Sequence, residues 1–461
     1  MDALNWALDE FGDADLGDLR RTDRLVRIAS KVVVSPECSL SKMMGNEADN
    51  KGAQRFWGSE SFDYRDVILP IVENTLTKTL SKERVLLIQD TSHLNYDDHP
   101  ATLGLGHIGS TDDKSFQGIM MHWTLALDFQ GECLGLAHLK LWEREKDPRK
   151  KCLNEHQNKP IEKKESYKWL ESVSALDGRF DEKTQLVWVA DREADIYDFI
   201  DVTLSKGHDF VIRSNNDRII SDEEGLLKER ARTAKILGTQ KLNVSRKGKQ
   251  VEINVNIQAC DIGLLAQRRK GGAKSERLCK DHEISVVRVS AKDPKFDFEW
   301  ILLTSLRVES LEDCLEIIWI YKQRWHIESI HKTLKSGFRA EEITLSTSEK
   351  LKKAIAIMLP CAVRIYWMAH KQKHEPNIPA NKILEPMECA LLNLNRQKPS
   401  DYKTSIKEAW LWIGYMGGFR GSKNSAPPGQ IVFWRGYMTL KAMVAGAQVW
   451  AKHQETKKCV H

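Results

Sequence analysis

Four polar residues between Trp319 and Gly337 have side chains suited to binding phosphate groups and a metal ion. They are Tyr321, Arg324, Glu328 and Lys335. No proline interrupts this stretch, and Gly337 stands where a helix would stop, so we predict one helix over it. At roughly 100° per residue, the four residues and Lys332 fall within about 80° of one another. The opposite face is apolar and consists of Trp319, Ile327, Ile330 and Leu334.

The polar face of this predicted helix has two interpretations. One is a solvated surface on which Arg324 and Glu328 form an (i, i+4) ion pair, worth a few tenths of a kcal/mol. The other is a metal-binding carboxylate flanked by phosphate contacts. Arginine offers a rigid fork to phosphate, lysine a point charge and tyrosine a hydroxyl.

Two aspartates further upstream each follow an apolar run. Arg84–Asp90 and Leu186–Asp191 are predicted to be buried strands that end on their aspartates. Functional sites of α/β sheets lie at strand ends, although an aspartate there is also common as a cap or turn residue. The order along the chain is strand-Asp, strand-Asp, helix-Glu.

This order, with the local sequences around it, resembles bacterial DDE transposases of the IS-four family, Tn-five type. The spacing Tyr-x2-Arg-x3-Glu-x6-Lys matches the last catalytic helix of that family. Residues 89–96 and 190–196 are similar to the sequences around its two aspartates. The Leu-Gly-Asp-Leu-Arg run at 16–20, the Trp300 strand and Gly417-Gly-Phe also resemble family positions. The resemblance covers nearly the whole chain and is looser over 215–295 and 390–405.

The resemblance implies a ribonuclease-H-like α/β core and a cut-and-paste DNA transposase that cleaves DNA through a hairpin and joins the 3′ ends to a target. It implies that Asp90, Asp191 and Glu328 are catalytic and bind metal. Tyr321, Arg324 and Lys335 would hold terminal phosphates, with Arg213 and Lys332 as further phosphate contacts. Trp300 would stack on a flipped base, although a large aromatic residue at that position is also typical of a core. The partners would be double-stranded transposon ends and target DNA, bound by a homodimer.

The chemistry accounts for the choice of carboxylates. Phosphodiester cleavage requires an activated water and a stabilised leaving oxygen, and two divalent ions about 3.5–4 Å apart supply both. Mg²⁺ and Mn²⁺ prefer carboxylate oxygen. We therefore expect two such ions in each active site.

The chain divides into three predicted domains. Residues 1–70 form a helical DNA-end-binding domain, 71–371 the catalytic domain with an antiparallel β insertion at about 215–305, and 372–461 a helical dimerisation domain. A helix is predicted to begin near Pro70. The first domain has an arginine cluster that either contacts DNA or forms a solvated face, consisting of Arg20, Arg21, Arg24 and Arg27. The basic loop Arg268–Arg277 has the same two interpretations.

Composition sets further limits on the class of protein. The 461 residues, 41% hydrophobic and 29% charged, are typical of a soluble globular protein of about three domains. The net charge of +5 is compatible with nucleic acid without indicating it. The nine cysteines include no C-x-x-C pair, which favours a reducing cytosol over a disulfide framework. With no signal peptide and no apolar run of ~18 residues, we expect a bacterial cytoplasmic protein on the nucleoid and no membrane partner.

Two alternatives to the transposase remain at this stage. One is a DNA-binding inhibitor of transposition that keeps the fold without cutting. The other is a stand-alone ribonuclease-H-like nuclease. The acidic triad argues against the first, and the N-terminal arginines and the C-terminal region argue against the second.

Overall fold

A computed structural model describes residues 3–34, 39–110, 115–144, 160–221, 225–246, 249–265, 281–421 and 427–458. The basic loop Arg268–Arg277 lies outside these ranges. The chain forms two compact units. One consists of Met1–Ile71, Leu94–Ile119 and Ser329–His461, and the other of Val72–His93 and Met120–Glu328.

The N-terminal part is helical, as predicted. Its helices are α1 (Ala3–Phe11), α2 (Leu19–Val34), α3 (Leu40–Met44), α4 (Glu47–Trp57) and α5 (Tyr64–Thr79). The prediction that a helix begins near Pro70 is wrong, because α5 starts six residues earlier. The backbone N–H groups of Asp63 and Arg65 donate to carboxylates of Asp66 and Asp63, respectively, which starts the helix at Tyr64.

A mixed sheet forms the frame of the second unit. The strands along the chain are β1 (Arg84–Asn95), β2 (Gly106–Ser110), β3 (Ser115–Asp128), β4 (Cys133–Trp142), β5 (Gln185–Ala190), β6 (Asp209–Arg213), β7 (Ile236–Arg246), β8 (Lys249–Leu264), β9 (His282–Ala291) and β10 (Glu299–Thr304). Their order in this unit is β3-β1-β5-β6-β10-β9-β8-β7, and β4 pairs with β3. In the first unit, β2 pairs with the first residues of β3.

The centre of this sheet is parallel and its outer part is antiparallel. β5 pairs in parallel with both β1 and β6. β10 pairs antiparallel with β6 and β9, and β8 pairs antiparallel with β9 and β7. This mixed α/β arrangement is consistent with a ribonuclease-H-like domain. The predicted Trp300 strand corresponds to β10, and the antiparallel strands β7, β8 and β9 lie within the range of about 215–305 predicted to contain an antiparallel β insertion.

The predicted end of β1 at Asp90 is wrong, because the strand continues to Asn95. The prediction was correct about burial: Val85–Gln89 is buried and the residues from Asp90 onward are partly exposed until Leu94. The apolar run therefore marked the end of the buried segment and not the end of the strand. Asp90 therefore lies within a continuous strand and not at its end.

The remaining helices of the second unit connect and cover these strands. They are α6 (Tyr167–Leu176), α7 (Tyr197–Ser205), α8 (Leu227–Thr233) and α9 (Leu311–Lys322), followed by the start of α10 (Trp325–Lys332). Ser310 and Asp313 form a capping box at the start of α9. This cap fixes where the chain leaves the sheet after β10.

The C-terminal part of the chain belongs to the first unit. It contains a π-helical turn (Thr333–Gly337), α11 (Ser348–His374), α12 (Pro386–Asn395), α13 (Ile406–Met416) and α14 (Gln430–Lys458). Thirteen consecutive residues of α11, from Leu351 to Val363, are buried. A helix that is buried all round is a core element, so α11 is central to this unit.

Candidate active site

The two aspartates predicted to be catalytic lie side by side on neighbouring strands. The parallel register of β1 and β5 runs from Arg84↔Gln185 to Ile88↔Val189. Asp90 and Asp191 each lie two residues beyond the last of these pairs, and the charge of Asp191 is among those that raise the pKa of Asp90. Asp191 follows β5 directly, and its carboxylate accepts a hydrogen bond from the backbone N–H of Glu193 at 2.8 Å. The sheet register therefore brings together two residues that are 101 positions apart.

The long helix predicted over 319–337 is interrupted, and this prediction is wrong in one respect. Helix α9 ends at Lys322 and α10 begins at Trp325. The side-chain amide of Gln323 donates to the carbonyl of Trp319 at 3.1 Å, which is the acceptor that its own backbone N–H would use in an α-helix. The backbone N–H groups of Gln323 and Arg324 bond instead to the carbonyls three residues earlier.

Arg324, at this break, connects two of the three carboxylates. Its Nη1 lies 2.6 Å from Oε1 of Glu328 and 4.0 Å from Oδ2 of Asp90. The side chain of Arg324 is only 9% exposed, whereas that of Glu328 is 37% exposed. Its Nε is buried and makes no hydrogen bond within the described part of the chain. The interpretation of Arg324 as a solvated surface cation is therefore wrong.

Among the three carboxylates, Asp90 is the one whose pKa is clearly shifted by its surroundings. Burial raises its pKa to about 7, and the carboxylates of Asp191 and Glu328 act in the same direction. The guanidinium of Arg324 and the backbone N–H of Thr91 oppose this rise. A carboxyl group in this position gains from a nearby cation.

The three carboxylates have the chemistry of a hard-cation site. Among the described residues, no three His, Cys, Asp or Glu side chains stand close enough in the present arrangement to hold a metal ion. The cation that now bridges Glu328 and Asp90 is Arg324. Oxygen donors suit Mg²⁺ and Mn²⁺, and the pKa of Asp90, raised first by burial and further by the charges of Asp191 and Glu328, would be lowered by a divalent ion. The donor set therefore fits a divalent ion.

An aromatic group lies beside the carboxylates. Tyr321 is buried, with its ring centroid 5.7 Å from the Arg324 guanidinium carbon and 5.2 Å from the ring of Trp300. Burial raises the pKa of the Tyr321 hydroxyl, opposed by the charges of Arg324 and Arg213. Trp300 is 8% exposed and also contacts Phe298. Its position is that of a packed residue, and its predicted stacking role stays a prediction.

Arg213 is half-buried at the end of β6. Its guanidinium donates to the backbone carbonyl of Glu299 at 3.2 Å, and it pairs across the strands with Leu302. The charge of Arg213 is among those that act on Tyr321. Arg213 is therefore close enough to Tyr321 to affect its pKa, and its predicted phosphate contact stays a prediction.

The two lysines of the signature belong to the first unit. Lys332 is exposed, and Lys335 is half-buried with its Nζ 3.8 Å from Oε1 of Glu341. Burial lowers the pKa of Lys335 and the carboxylate of Glu341 opposes this. The hydroxyl of Thr333 donates to the carbonyl of Ser329 at 3.0 Å, and the backbone N–H of Phe338 bonds to the carbonyl of Thr333. This five-residue step is the π-helical turn that carries Lys335.

The four N-terminal arginines do not form one free cationic face. Arg24 pairs with Asp49 at 3.0 Å, and its guanidinium fills the space beside Gly52. Arg20 pairs with Asp18, and Arg21 donates to the carbonyl of Leu16. Arg27 is exposed and makes no ion pair within the described residues.

Some residues at the site were missed by sequence reasoning. His122 bonds to side chains on both sides of Asp90. Asp195, fully buried, accepts hydrogen bonds from the backbone N–H groups of Asn215 and Asn216 at 2.7 and 2.8 Å and pairs with Arg218. A histidine inside an apolar run, and a second aspartate four residues after Asp191, were the available signals.

Two models of known protein families match parts of this chain. Residues 176–363 match the family model described as Transposase DDE domain. This range contains Asp191, Arg324 and Glu328 and ends within α11, whereas Asp90 precedes it. A DDE domain of this kind implies metal-dependent nuclease or transposase activity, and such domains generally use divalent ions.

A second family model covers the N-terminal helices. Residues 3–62 match the model described as Transposase DNA-binding, a range that contains all four arginines of the cluster. Together the two matches support a DDE-type transposase that acts on DNA. No helix in the described ranges has the length and apolar character needed to cross a membrane.

Proposed function

We propose that the chain is a cut-and-paste DNA transposase of the IS-four family, Tn-five type, with Asp90, Asp191 and Glu328 as its metal-binding catalytic residues. The observations that support the proposal are the parallel pairing of β1 with β5, beyond whose last pair Asp90 and Asp191 each lie two residues, and the contacts of Arg324 with Asp90 and Glu328. Two Mg²⁺ or Mn²⁺ ions bound by these carboxylates would activate the attacking oxygen and stabilise the leaving oxygen.

The residues of the chain contribute orientation and charge. Asp191 is fixed by its hydrogen bond from the Glu193 N–H. Arg324 neutralises Asp90 and Glu328 in the absence of metal, and in the complex its guanidinium would bind a terminal phosphate through its fork. Tyr321 would supply a hydroxyl beside it.

The lysines and the second arginine extend this phosphate contact. Lys335, held near Glu341, would exchange that carboxylate for a DNA phosphate, which carries the same sign of charge. Lys332 and Arg213 would contact the flanking phosphates. Trp300 would stack on a base flipped from the strand that forms the hairpin, which requires it to leave its present packing against Phe298.

The proposed domain organisation follows the three predicted ranges. Residues 1–70 would bind transposon ends, 71–371 would cleave and join, and 372–461 would hold two copies together as a homodimer. The protein would act in the bacterial cytoplasm on the nucleoid. The match of residues 3–62 to a transposase DNA-binding model supports the first of these assignments.

One assay tests the proposal against its alternatives. The protein is incubated with a labelled transposon end, a supercoiled target plasmid and Mg²⁺, and the products are resolved as bound, nicked, hairpin and joined DNA. We expect cutting through a hairpin followed by joining. Binding alone would indicate an inhibitor, and cutting without joining a stand-alone nuclease.

A further inference from the structure

His122 occupies a fully buried position on β3 between the two residues that flank Asp90. Its Nδ1 lies 2.9 Å from the hydroxyl of Thr91, and its Nε2 lies 2.9 Å from the side-chain oxygen of Gln89. Gln89 is also fully buried. One imidazole ring thus contacts the residues immediately before and after Asp90.

Successive side chains of a strand point to opposite faces of the sheet, which explains how this contact affects Asp90. Gln89 and Thr91 point to the face of β1 opposite Asp90. When both neighbours are held from one side, the backbone between them cannot rotate about the strand axis, and the Asp90 carboxylate is fixed on the other side. The ring of Trp169 on α6 lies 4.7 Å from the imidazole in an edge-to-face arrangement and holds it in place.

Both ring nitrogens of His122 therefore have a side-chain partner on β1. Nδ1 contacts the hydroxyl of Thr91, and Nε2 contacts the side-chain amide of Gln89. A neutral imidazole has one donor and one acceptor nitrogen, and a hydroxyl can act as either partner.

We propose that His122 is a positioning residue that, through Thr91 and Gln89, sets the orientation of Asp90 in which it shares a divalent ion with Asp191 and Glu328. This inference rests on the proposed function. Partners that orient a metal-binding side chain typically change metal affinity or activity by 10–100-fold when they are lost. We expect an effect of about tenfold, at the lower end of that range, because Asp90 keeps its hydrogen bond from the backbone N–H of Thr91.

The test compares two threonine-to-valine substitutions of equal size change, one at the half-buried Thr91 and one at the buried Thr124. Thr91→Val removes the hydroxyl that contacts His122. Thr124→Val, two residues from His122 on the same strand, removes a buried hydroxyl that has no hydrogen-bond partner within the described residues. Mn²⁺ binding to the full chain without DNA is measured by the loss of the free-ion electron paramagnetic resonance signal, and thermal melting is recorded for each variant.

We expect Thr91→Val to require about ten times more Mn²⁺ for half-saturation, and Thr124→Val to match the wild type. Thr91→Ser keeps the hydroxyl and should restore wild-type affinity, which covers the case in which the valine variant folds poorly. Equal Mn²⁺ affinity for Thr91→Val and Thr124→Val would overturn the role of His122.

A separate control tests the proposed function itself. If the wild type binds no Mn²⁺ that is lost in Asp191→Ala, the metal site is wrong and the positioning role falls with it. If that binding is present and the two valine variants still behave alike, only the inference about His122 fails.

Discussion

Arg324 and Glu328 form an ion pair of 2.6 Å across the break between α9 and α10, and the same guanidinium nitrogen lies 4.0 Å from Asp90. The guanidinium of Arg324 thus supplies positive charge beside Asp90 and Glu328 in the absence of a metal ion. The guanidinium is itself a phosphate ligand, and we therefore infer that the binding of metal and the binding of DNA are coupled at this residue. The metal ion would bind the carboxylates, and Arg324, released from them, would bind a phosphate.

The stability of the metal-free protein should depend on Asp90 and on pH. The pKa of Asp90 is raised to about 7 from 3.8, so the folded state keeps its proton while the unfolded state loses it. Folding stability therefore falls as pH rises from about 4 to 7 and changes little from this source above 7. Asp90→Asn removes the penalty and should stabilise the protein at pH 8 by up to about 4 kcal/mol, with almost no gain near pH 4.

Thermal melting in chelator across this pH range measures the effect of Asp90→Asn. Addition of Mg²⁺ at pH 8 should then raise the melting temperature of the wild type and leave that of the variant nearly unchanged, since binding to the folded state stabilises it. A variant that is less stable than the wild type at every pH would contradict the prediction.

Catalysis should require both metal and Asp191. Removal of one of three clustered like charges should not unfold the protein, so Asp191→Ala is expected to bind transposon ends with near wild-type affinity and to cut none. Gel-shift and cleavage assays on the same preparation measure the two properties. Full cleavage by the wild type in excess chelator would refute the metal requirement.

The salt dependence of end binding should distinguish the N-terminal arginines. Arg20 is 89% exposed and Arg27 is also exposed, whereas Arg24 is committed to Asp49. Each phosphate contact contributes about 0.9 to the slope of log affinity against log salt. Arg20→Ala with Arg27→Ala should therefore flatten the slope by nearly two.

Arg307→Ala with Lys295→Ala, which removes two exposed cations elsewhere, is the matched control for this measurement. It should leave the slope unchanged. Arg24→Ala is expected to lower melting temperature as well as affinity, since Asp49 loses one of its two cationic partners. An identical slope for the Arg20/Arg27 double variant and the control would support the solvated-face interpretation.

Trp300 offers a test that separates packing from a step in hairpin formation. Because its ring is buried against Tyr321 and Phe298, Trp300→Ala should cost about 3 kcal/mol of stability. At a temperature where the variant remains folded, we expect nicking at a near-normal rate and slow hairpin formation, with nicked DNA accumulating. Time-resolved product analysis on denaturing gels measures both steps.

An abasic nucleotide at the flipped position should partly rescue Trp300→Ala, because unstacking then costs little. Phe298→Ala is the control for lost packing alone and should show no abasic rescue. If Trp300→Ala slows nicking and hairpin formation equally, the stacking role is wrong and Trp300 is a core residue.

Local sequence patterns predicted several strands of the sheet and the buried face of one helix. The apolar runs before Asp191 and from Trp300 to Thr304 correspond to β5 and β10. The burial of Ile327, Ile330 and Leu334 followed from their helical spacing. These features depend on periodicity and hydrophobicity, which a single sequence displays directly.

The features that the sequence did not predict depend on hydrogen bonds or on distant partners. The break before Trp325 results from the side chain of Gln323 taking the carbonyl of Trp319, which leaves no mark in the apolar spacing. Arg24 is withdrawn from a free cationic face by Asp49, 25 positions away. Likewise, the contacts of His122 with Gln89 and Thr91 depend on the pairing of strands and not on any local motif.

The π-helical turn at Thr333–Gly337 alters what the spacing of Glu328 and Lys335 means. On a uniform α-helix, seven residues nearly complete two turns, and the two side chains would point in almost the same direction. A π turn advances through a smaller angle per residue, so the α-helical angle per residue does not apply within the turn that contains Lys335. The turn is defined by the hydrogen bond from the backbone N–H of Phe338 to the carbonyl of Thr333, five residues earlier. The spacing of the signature in the sequence therefore does not by itself give the direction of the Lys335 side chain, because the helical geometry changes within the signature.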